Sequence, residues 1–445
     1  MKLCWKDRII ACCIVLLYVI AFAIMGKAFV AKVIVKYCGI SNAITNFVME
    51  GKDNRTESRK VAIDWKKLYP FEQEEEVSFQ EKMEQKLNNS SKPEERLTGW
   101  IRKNLWGYRT LVELKANCDR EIGWNICRQE DLLVKEIYDG YYAQIFYRVN
   151  EQGKIKSIVN FQQFCSSRNI PFLFVQAPFK IGREMECIHP ELESFANADA
   201  DEIVNGLRGS GVQVLDIREQ VEKTGLDNLK LFFKTDHHWT PEAGLWSSGL
   251  ILEKLCEIFP LDFSYDQQIV SLNNYNIETY YDNFLGSHGR ALTLSRAEPE
   301  NIDLLYPKND TNFTCIIPSL DIDVTGDFSI LYDMNQVREG DYYEKESYGA
   351  YCYGDQPYIQ ITNHNPMAIQ KKILLIKDSF GRVVAPFLAM AVSEVDIVDL
   401  RHFTGSIRNF IMKKKPDVVI ILYYPGTEFL SERIWSLHMN PFDFR

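Results

Sequence analysis

The chain has 445 residues, a formal net charge of −10 and a pI near 5.4, so it offers no basic face to neutralise a phosphate backbone, and a nucleic-acid partner is excluded. Hydrophobic residues make up 46% and charged residues 25%, globular values that exclude a disordered chain. The length fits two or three domains, or one large α/β domain with appendages.

The first 40 residues stand apart. Ile9 to Met25 is an uncharged apolar run of 17 residues, at the short end of what spans a bilayer. Lys2, Lys6 and Arg8 precede it and keep the N-terminus cytoplasmic by the positive-inside rule, a bias weakened by Lys27, Lys32 and Lys36. The run exceeds a typical signal-peptide core, and its nearest small-x-small triplet, Ala21-Phe22-Ala23, lies inside it. Residues 1–40 are therefore expected to form a cytoplasmic tip and an uncleaved signal-anchor transmembrane helix. The protein would be single-pass in the cell membrane, with everything after about residue 40 extracytoplasmic.

Residues 41–130 read as a stalk or lead-in, and Asn88-Asn89-Ser90-Ser91-Lys92-Pro93 breaks any helix there. Of 11 cysteines, Cys118 and Cys127 are close enough to close a small loop. No C-x-x-C pair exists, so neither a zinc ribbon nor a thioredoxin-type site is indicated, and core packing is the expectation for most of the others.

From Asp131 onward the pattern is α/β. Lys156–Arg168 has helical spacing, and Pro171–Gln176 is a continuous apolar run of the kind that forms a strand buried on both faces. A helix near Glu191–Leu207 and a short strand at Val212–Leu215 follow. Thr240-Pro241-Glu242 predicts a helix start, with Thr as cap and Pro at the first position, running to about Phe259. Residues 260–370 lose the α/β rhythm and read as a β-rich insertion covering one edge of the site, with strand-like segments at Phe328–Tyr332 and Tyr358–Ile361. Ile373–Ile376, Val395–Leu400 and Asp417–Leu422 are further buried strands, with a helix near Gly405–Lys413. Five strands interleaved with helices predict a three-layer α/β/α sandwich with a mostly parallel sheet over residues 131–445.

Two short segments carry the chemistry. Lys234-Thr235-Asp236-His237-His238-Trp239-Thr240 gathers an acid and two imidazoles in a chain with 7 histidines. Lys377-Asp378-Ser379-Phe380-Gly381 places a hydroxyl at the end of a buried strand. A serine hydroxyl is a weak nucleophile until a base takes its proton, and that base needs an orienting carboxylate. In an extended loop residues i and i+2 point the same way, so Asp236 and His238 are expected to face one site and His237 to face elsewhere. Ser379 would meet them at the carboxyl edge of the sheet. An oxyanion hole is required as well. The Ser379 N–H and the Gly286 loop are its candidates.

Asp236-His237-His238-Trp239 followed by Asp378-Ser379-Phe380 resembles the DHHW branch of the SGNH-hydrolase-like proteins, similar to the bacterial alginate O-acetyltransferases. Ala177-Pro178-Phe179-Lys180, Phe284-Leu285-Gly286-Ser287 and Lys415-Pro416-Asp417-Val418-Val419 extend the likeness over residues 131–430. The motif order is specific, since ordinary SGNH enzymes place the serine block first. The resemblance implies an O-acetyltransferase that moves an acetyl group onto a cell-envelope or secreted polysaccharide. The acetyl donor would come from a membrane-bound O-acyltransferase partner, and no cofactor or metal is implied. It assigns Asp236, His238 and Ser379 as a triad, with His237, Trp239, Lys180, Gly286 and Ser287 as substrate-binding. Lys377 departs from the pattern, standing where the family's serine block usually carries glycine.

Three other readings stay open. Asp-His-His also occurs in metal-dependent phosphoesterases, though no second ligand cluster with suitable spacing is visible. The fold could hold a polysaccharide without catalysis. Water could replace the sugar hydroxyl, which would make the protein an acetyl esterase.

Overall fold

Charge-free apolar runs such as Phe172–Gln176 and Ile373–Ile376 leave no polar face for water, so they form strands covered on both sides. A computed structural model describes residues 108–122, 126–129, 132–183, 194–343, 345–426 and 440–445. The segment read as a membrane anchor lies outside them, and among the described residues no helix is long and apolar enough to cross a membrane.

In chain order, helix α1 (Tyr108–Glu121) precedes a three-stranded antiparallel sheet of β1 (Ile126–Gln129), β2 (Leu132–Tyr138) and β3 (Tyr141–Ile145). Next come α2 (Gln152–Ser166), β4 (Phe172–Gln176), α3 (Ala196–Gly209), β5 (Val214–Asp216), α4 (Ile217–Thr224) and α5 (Pro241–Ile258). The middle of the chain gives β6 (Tyr275–Phe284), α6 (Ser287–Leu292), β7 (Glu300–Pro307), β8 (Phe313–Ile317), β9 (Ile322–Gly326) and β10 (Tyr358–Asn363). The last part is β11 (Ile369–Lys377), α7 (Ala385–Ala391), β12 (Val392–Val398), α8 (Ile407–Lys414) and β13 (Val418–Tyr423).

The central sheet has the order β5-β4-β13-β11-β12-β10-β8-β9. The first five strands, the ones legible as buried runs, are parallel. β10, β8 and β9 extend that sheet antiparallel on one edge. Alternation along each strand feeds two cores. Leu173, Val175, Ile373, Leu375, Ile420 and Leu422 pack with α4, α5 and α7 on one face. Phe172, Phe174, Leu374, Ile376, Val419 and Ile421 pack with α2, α3 and α8 on the other. Helices on both faces of a mostly parallel sheet make three layers.

The sequence reading differs from the structure in three places. Residues 260–370 are β-rich as expected, yet part of them joins the main sheet, and the rest forms the β6–β7 ladder. Phe328–Leu331 is a 3₁₀ turn where a strand was expected, because the Asp327 side chain accepts from the Ser329 N–H and caps it. Helix α1, within the stretch read as lead-in, docks against the insertion: Asn117 donates to Ser295 Oγ at 3.1 Å, and Glu113 accepts from Thr293 Oγ1 at 2.7 Å. Cys118 is a free thiol, and Cys165, Cys315 and Cys352 are thiols packed in the core.

Candidate active site

The loop before α5 is built around its own polar groups. Thr240 caps the helix by accepting from the Ala243 N–H at 3.3 Å, with Pro241 in the first turn. The Phe233 N–H donates to the His238 carbonyl (3.1 Å) and the Thr240 N–H to the Leu231 carbonyl (2.8 Å), closing a hairpin-like loop. Asp236 makes a turn on itself, since its Oδ1 accepts the backbone N–H of His238 at 3.0 Å. The loop is thus bent where an extended one was expected. In consequence His237 does not face elsewhere. Its ring lies 3.8 Å from that of His238, and its Nδ1 is 3.2 Å from Ser287 Oγ.

β11 supplies the other half. Asp378 follows its last residue and holds the turn: Oδ1 accepts from the Phe380 N–H (2.9 Å) and Oδ2 from the Tyr424 N–H (2.6 Å), tying the ends of β11 and β13 together. Ser379 opens the 3₁₀ turn Ser379–Val383, a position at which the turn itself supplies no acceptor for its N–H.

The three residues singled out from sequence meet here. His238 Nδ1 is 2.5 Å from Asp236 Oδ1, and His238 Nε2 is 2.7 Å from Ser379 Oγ. Asp236 Oδ2 accepts the Ser287 N–H at 2.5 Å. Burial works against the charge on Asp236, but the neighbouring imidazole of His238 and its hydrogen bond outweigh it and hold the carboxyl well below the usual range. Burial, and then His238, keep the His237 imidazole well below its ordinary value and hence neutral. A carboxylate on Nδ1 fixes the tautomer that leaves Nε2 able to accept from Ser379.

Metal binding fits this cluster poorly. The ligand atoms of Asp236, His237 and His238 lie within 4.8 Å of one another. Both Asp236 oxygens are occupied by N–H donors, however, and Nδ1 of His238 is turned onto the carboxylate.

The other sequence-derived site residues turn out to be supports. Lys180 is 1% exposed and donates to the carbonyls of Tyr142 (2.8 Å), Phe233 (2.6 Å) and Asp236, so it clamps the loop from behind. Trp239 is 0% exposed, and its indole N–H donates to the Phe380 carbonyl at 2.9 Å. Neither presents a surface to a substrate. The Gly286 N–H is taken by Thr235 Oγ1 at 3.0 Å, which removes it as an oxyanion donor. A Cβ on Gly286 would lie 2.5 Å from the Thr235 carbonyl oxygen and collide with Asp236 Cβ. This glycine lets the Gly286-Ser287 turn close on Asp236.

Several contributors were missed. Glu300 accepts the Lys234 and Thr235 N–H groups at 2.6 Å each. Tyr348 stacks on His238, ring centroids 4.0 Å apart and planes 15° apart. Lys377, the departure from the family pattern, is fully buried with Nζ 2.7 Å from Asp355 Oδ1 and 3.3 Å from Asp399 Oδ2. Arg382 and Arg401 complete that network at 2.5–3.0 Å. Burial opposes the Asp355 charge; Arg382, Lys377 and Arg401 win and hold it well below the usual range. Of these only Lys377 stands out in the sequence, as a departure from the resembled motif, and the Tyr-rich composition of the insertion hints at Tyr348 alone.

Residues 141–255 match the model of the SGNH hydrolase-like domain of acetyltransferase AlgX. A DHHW family protein from Eubacterium siraeum superposes with a TM-score of 0.53 at 17% identity, over 68% of this chain and 94% of that one. The fold is SGNH-hydrolase-like. Bacillus cereus PatB1 with a sulfonyl adduct aligns equally well, at TM-score 0.53 and 18% identity over 72% of this chain and 99% of its own. Among curated proteins no sequence matches the chain. The resemblance seen in the two motifs thus agrees with a family model and with a DHHW structure. The matched segment carries the Asp236–Trp239 loop and stops before Ser379.

Proposed function

We propose that this protein is a membrane-anchored, extracytoplasmic O-acetyltransferase acting on a cell-envelope or secreted polysaccharide through Ser379, His238 and Asp236. The observation that carries the reading is the hydrogen-bonded chain from Asp236 Oδ1 through the His238 imidazole to Ser379 Oγ. The acetyltransferase family model matched over residues 141–255 is consistent with it.

His238 Nε2 takes the Ser379 proton while Oγ bonds to the acetyl carbon of the donor. The donor's bond to that carbon breaks, and the leaving group takes the proton back from Nε2. In the second half a sugar hydroxyl gives its proton to Nε2 and bonds to the acetyl carbon. Ser379 Oγ leaves and regains the proton. Asp236 stays ionised throughout and stabilises the imidazolium. The Ser379 N–H is the donor proposed for the oxyanion. The donor molecule would be charged by a membrane-bound O-acyltransferase, and residues 9–25 would hold the domain beside it.

The test uses the purified full-length chain and 4-nitrophenyl acetate. Acetate release should fall to the background rate in Ser379→Ala, and mass spectrometry of the wild type without acceptor should find one acetyl group on the peptide containing Ser379. Adding an oligosaccharide acceptor should discharge that adduct faster than water does; discharge by water alone identifies an esterase. Turnover without an adduct on Ser379 removes the serine mechanism.

A further inference from the structure

His238 is flanked by two rings. His237 lies 3.8 Å from its centroid, tilted by 36°, and Tyr348 lies 4.0 Å away, nearly parallel at 15°. Resting on the proposed acyl-transfer function, we infer that Tyr348 is a positioning residue for His238: its aromatic face holds the imidazole plane in line between Asp236 and Ser379 and supports the imidazolium that forms when Ser379 is deprotonated.

Four observations carry this. Tyr348 is 1% exposed, so its ring is fixed by packing. It is braced by edge contacts to Tyr351 at 5.2 Å and Phe233 at 6.1 Å. The 3₁₀ turn that bears it, Ser347–Ala350, is tied down where Ser347 Oγ donates to the Asn283 carbonyl at 2.9 Å. The buried hydroxyl has no hydrogen-bond partner among the described residues. A buried hydroxyl without a partner is normally selected against, so a tyrosine here is not explained by a hydrogen bond in the resting protein. What it does supply is a π face against the base. An aromatic face stabilises a nearby cation, and more so when water is excluded. The Arg382 guanidinium lies 5.5 Å from the same ring, which links Tyr348 to the buried ion network next to the serine turn.

The test is a double-mutant cycle on the full-length chain, read as kcat and KM for acetyl-ester turnover. Tyr348→Phe keeps the face and loses only an unbonded hydroxyl, so it should match the wild type in kcat and melt no lower. Tyr348→Leu should lower kcat roughly tenfold or more at unchanged KM. In a His238→Ala background, Tyr348→Leu should change the residual rate by less than twofold, because the ring acts only through the imidazole. Tyr348→Met serves in the same cycle should the leucine variant not fold. Equal losses in both backgrounds, or no loss in either, overturn the inference. A loss in Tyr348→Phe as large as in Tyr348→Leu overturns it too, since the hydroxyl would then be the working group. Ser379→Ala run alongside separates the two ideas: if it keeps wild-type turnover, the proposed function fails first.

Discussion

The indole N–H of Trp239 and the carbonyl of Phe380 are hydrogen bonded at 2.9 Å, across 141 residues of sequence. This bond joins the loop bearing the base to the turn bearing the hydroxyl, one residue beyond each. Replacing Trp239 by Phe keeps an aromatic ring in the core and leaves the Phe380 carbonyl without its donor. The expected cost is about 1–3 kcal/mol in urea unfolding, with a fall in acetyl-ester kcat. Unchanged stability would mean that another donor takes over the carbonyl.

The two adjacent histidines should behave differently. His238 contacts both Asp236 and Ser379, so His238→Ala should lower acetyl-ester turnover by several orders of magnitude, on the scale of about 10³ or more. His237 contacts Ser287 Oγ and the face of His238, so His237→Ala should cost far less. Steady-state kinetics on both folded variants check this, and equal losses would reassign the base.

Gly286 should tolerate no side chain. A methyl group there would strike Asp236 and the Thr235 carbonyl, pushing the carboxylate off His238. Gly286→Ala should destabilise by roughly 1–3 kcal/mol. Turnover should fall at the same time in protein that remains folded. Thermal melts beside kinetics would reveal a mutation that harms only one of the two.

Replacing Lys377 by glycine should destabilise this chain. Lys377→Gly strips the buried Asp399 and the partly buried Asp355 of a shared cation. Breaking a buried pair on one side typically costs about 3–5 kcal/mol. Chemical denaturation is the measurement, and a neutral result would mean that the two arginines alone neutralise both acids.

His288 should give the protein an acid-side weakness. Its Nδ1 is 3.0 Å from the Tyr142 carbonyl, and burial, with Lys180 nearby, holds its imidazole down to about 3. The unfolded chain takes up this proton as pH falls through about 6.5, whereas the folded protein does not until about 3. The unfolded state therefore binds more protons across that interval. Stability from this site is complete above the upper value and is lost on going down, by up to about 1.4 kcal/mol per pH unit. His288→Asn keeps a donor for the carbonyl and cannot titrate. The stability of the wild type relative to this variant should drop between pH 7 and pH 5 in urea titrations. A constant difference would show that His288 takes its proton inside the fold.

The parallel sheet was legible because its strands are buried on both faces, which leaves a continuous apolar run with no competing interpretation. Asp236, His238 and Ser379 were legible as candidates because each lies in a short motif beside an element boundary that Thr240-Pro241 or Lys377-Asp378 marks. What holds the three together was not. Lys180, Trp239 and Gly286 have chemistry that suits a ligand, and only three-dimensional packing reveals that Lys180 is consumed by backbone carbonyls and Trp239 by Phe380. Asp236 turns back on the His238 N–H, a local bond that overrides the extended geometry assumed for His237. Tyr348 and Glu300 come from an insertion whose strands pair at long range, and no periodicity marks such residues for the site.

β13 is the last strand among the described residues and sits in the middle of the sheet, with β4 on one side and β11 on the other. While the polypeptide is being synthesised, β4 waits for β13 on the order of tens of seconds, whereas β11, made shortly before β13, waits only about a few seconds. For its own interval each carries a bare edge of the kind that recruits other chains. The Tyr424 N–H that steadies Asp378 also arrives only after β13. Loss of β13 would therefore split the sheet in two and loosen the serine turn, so a chain truncated near Lys415 should be insoluble with no residual turnover.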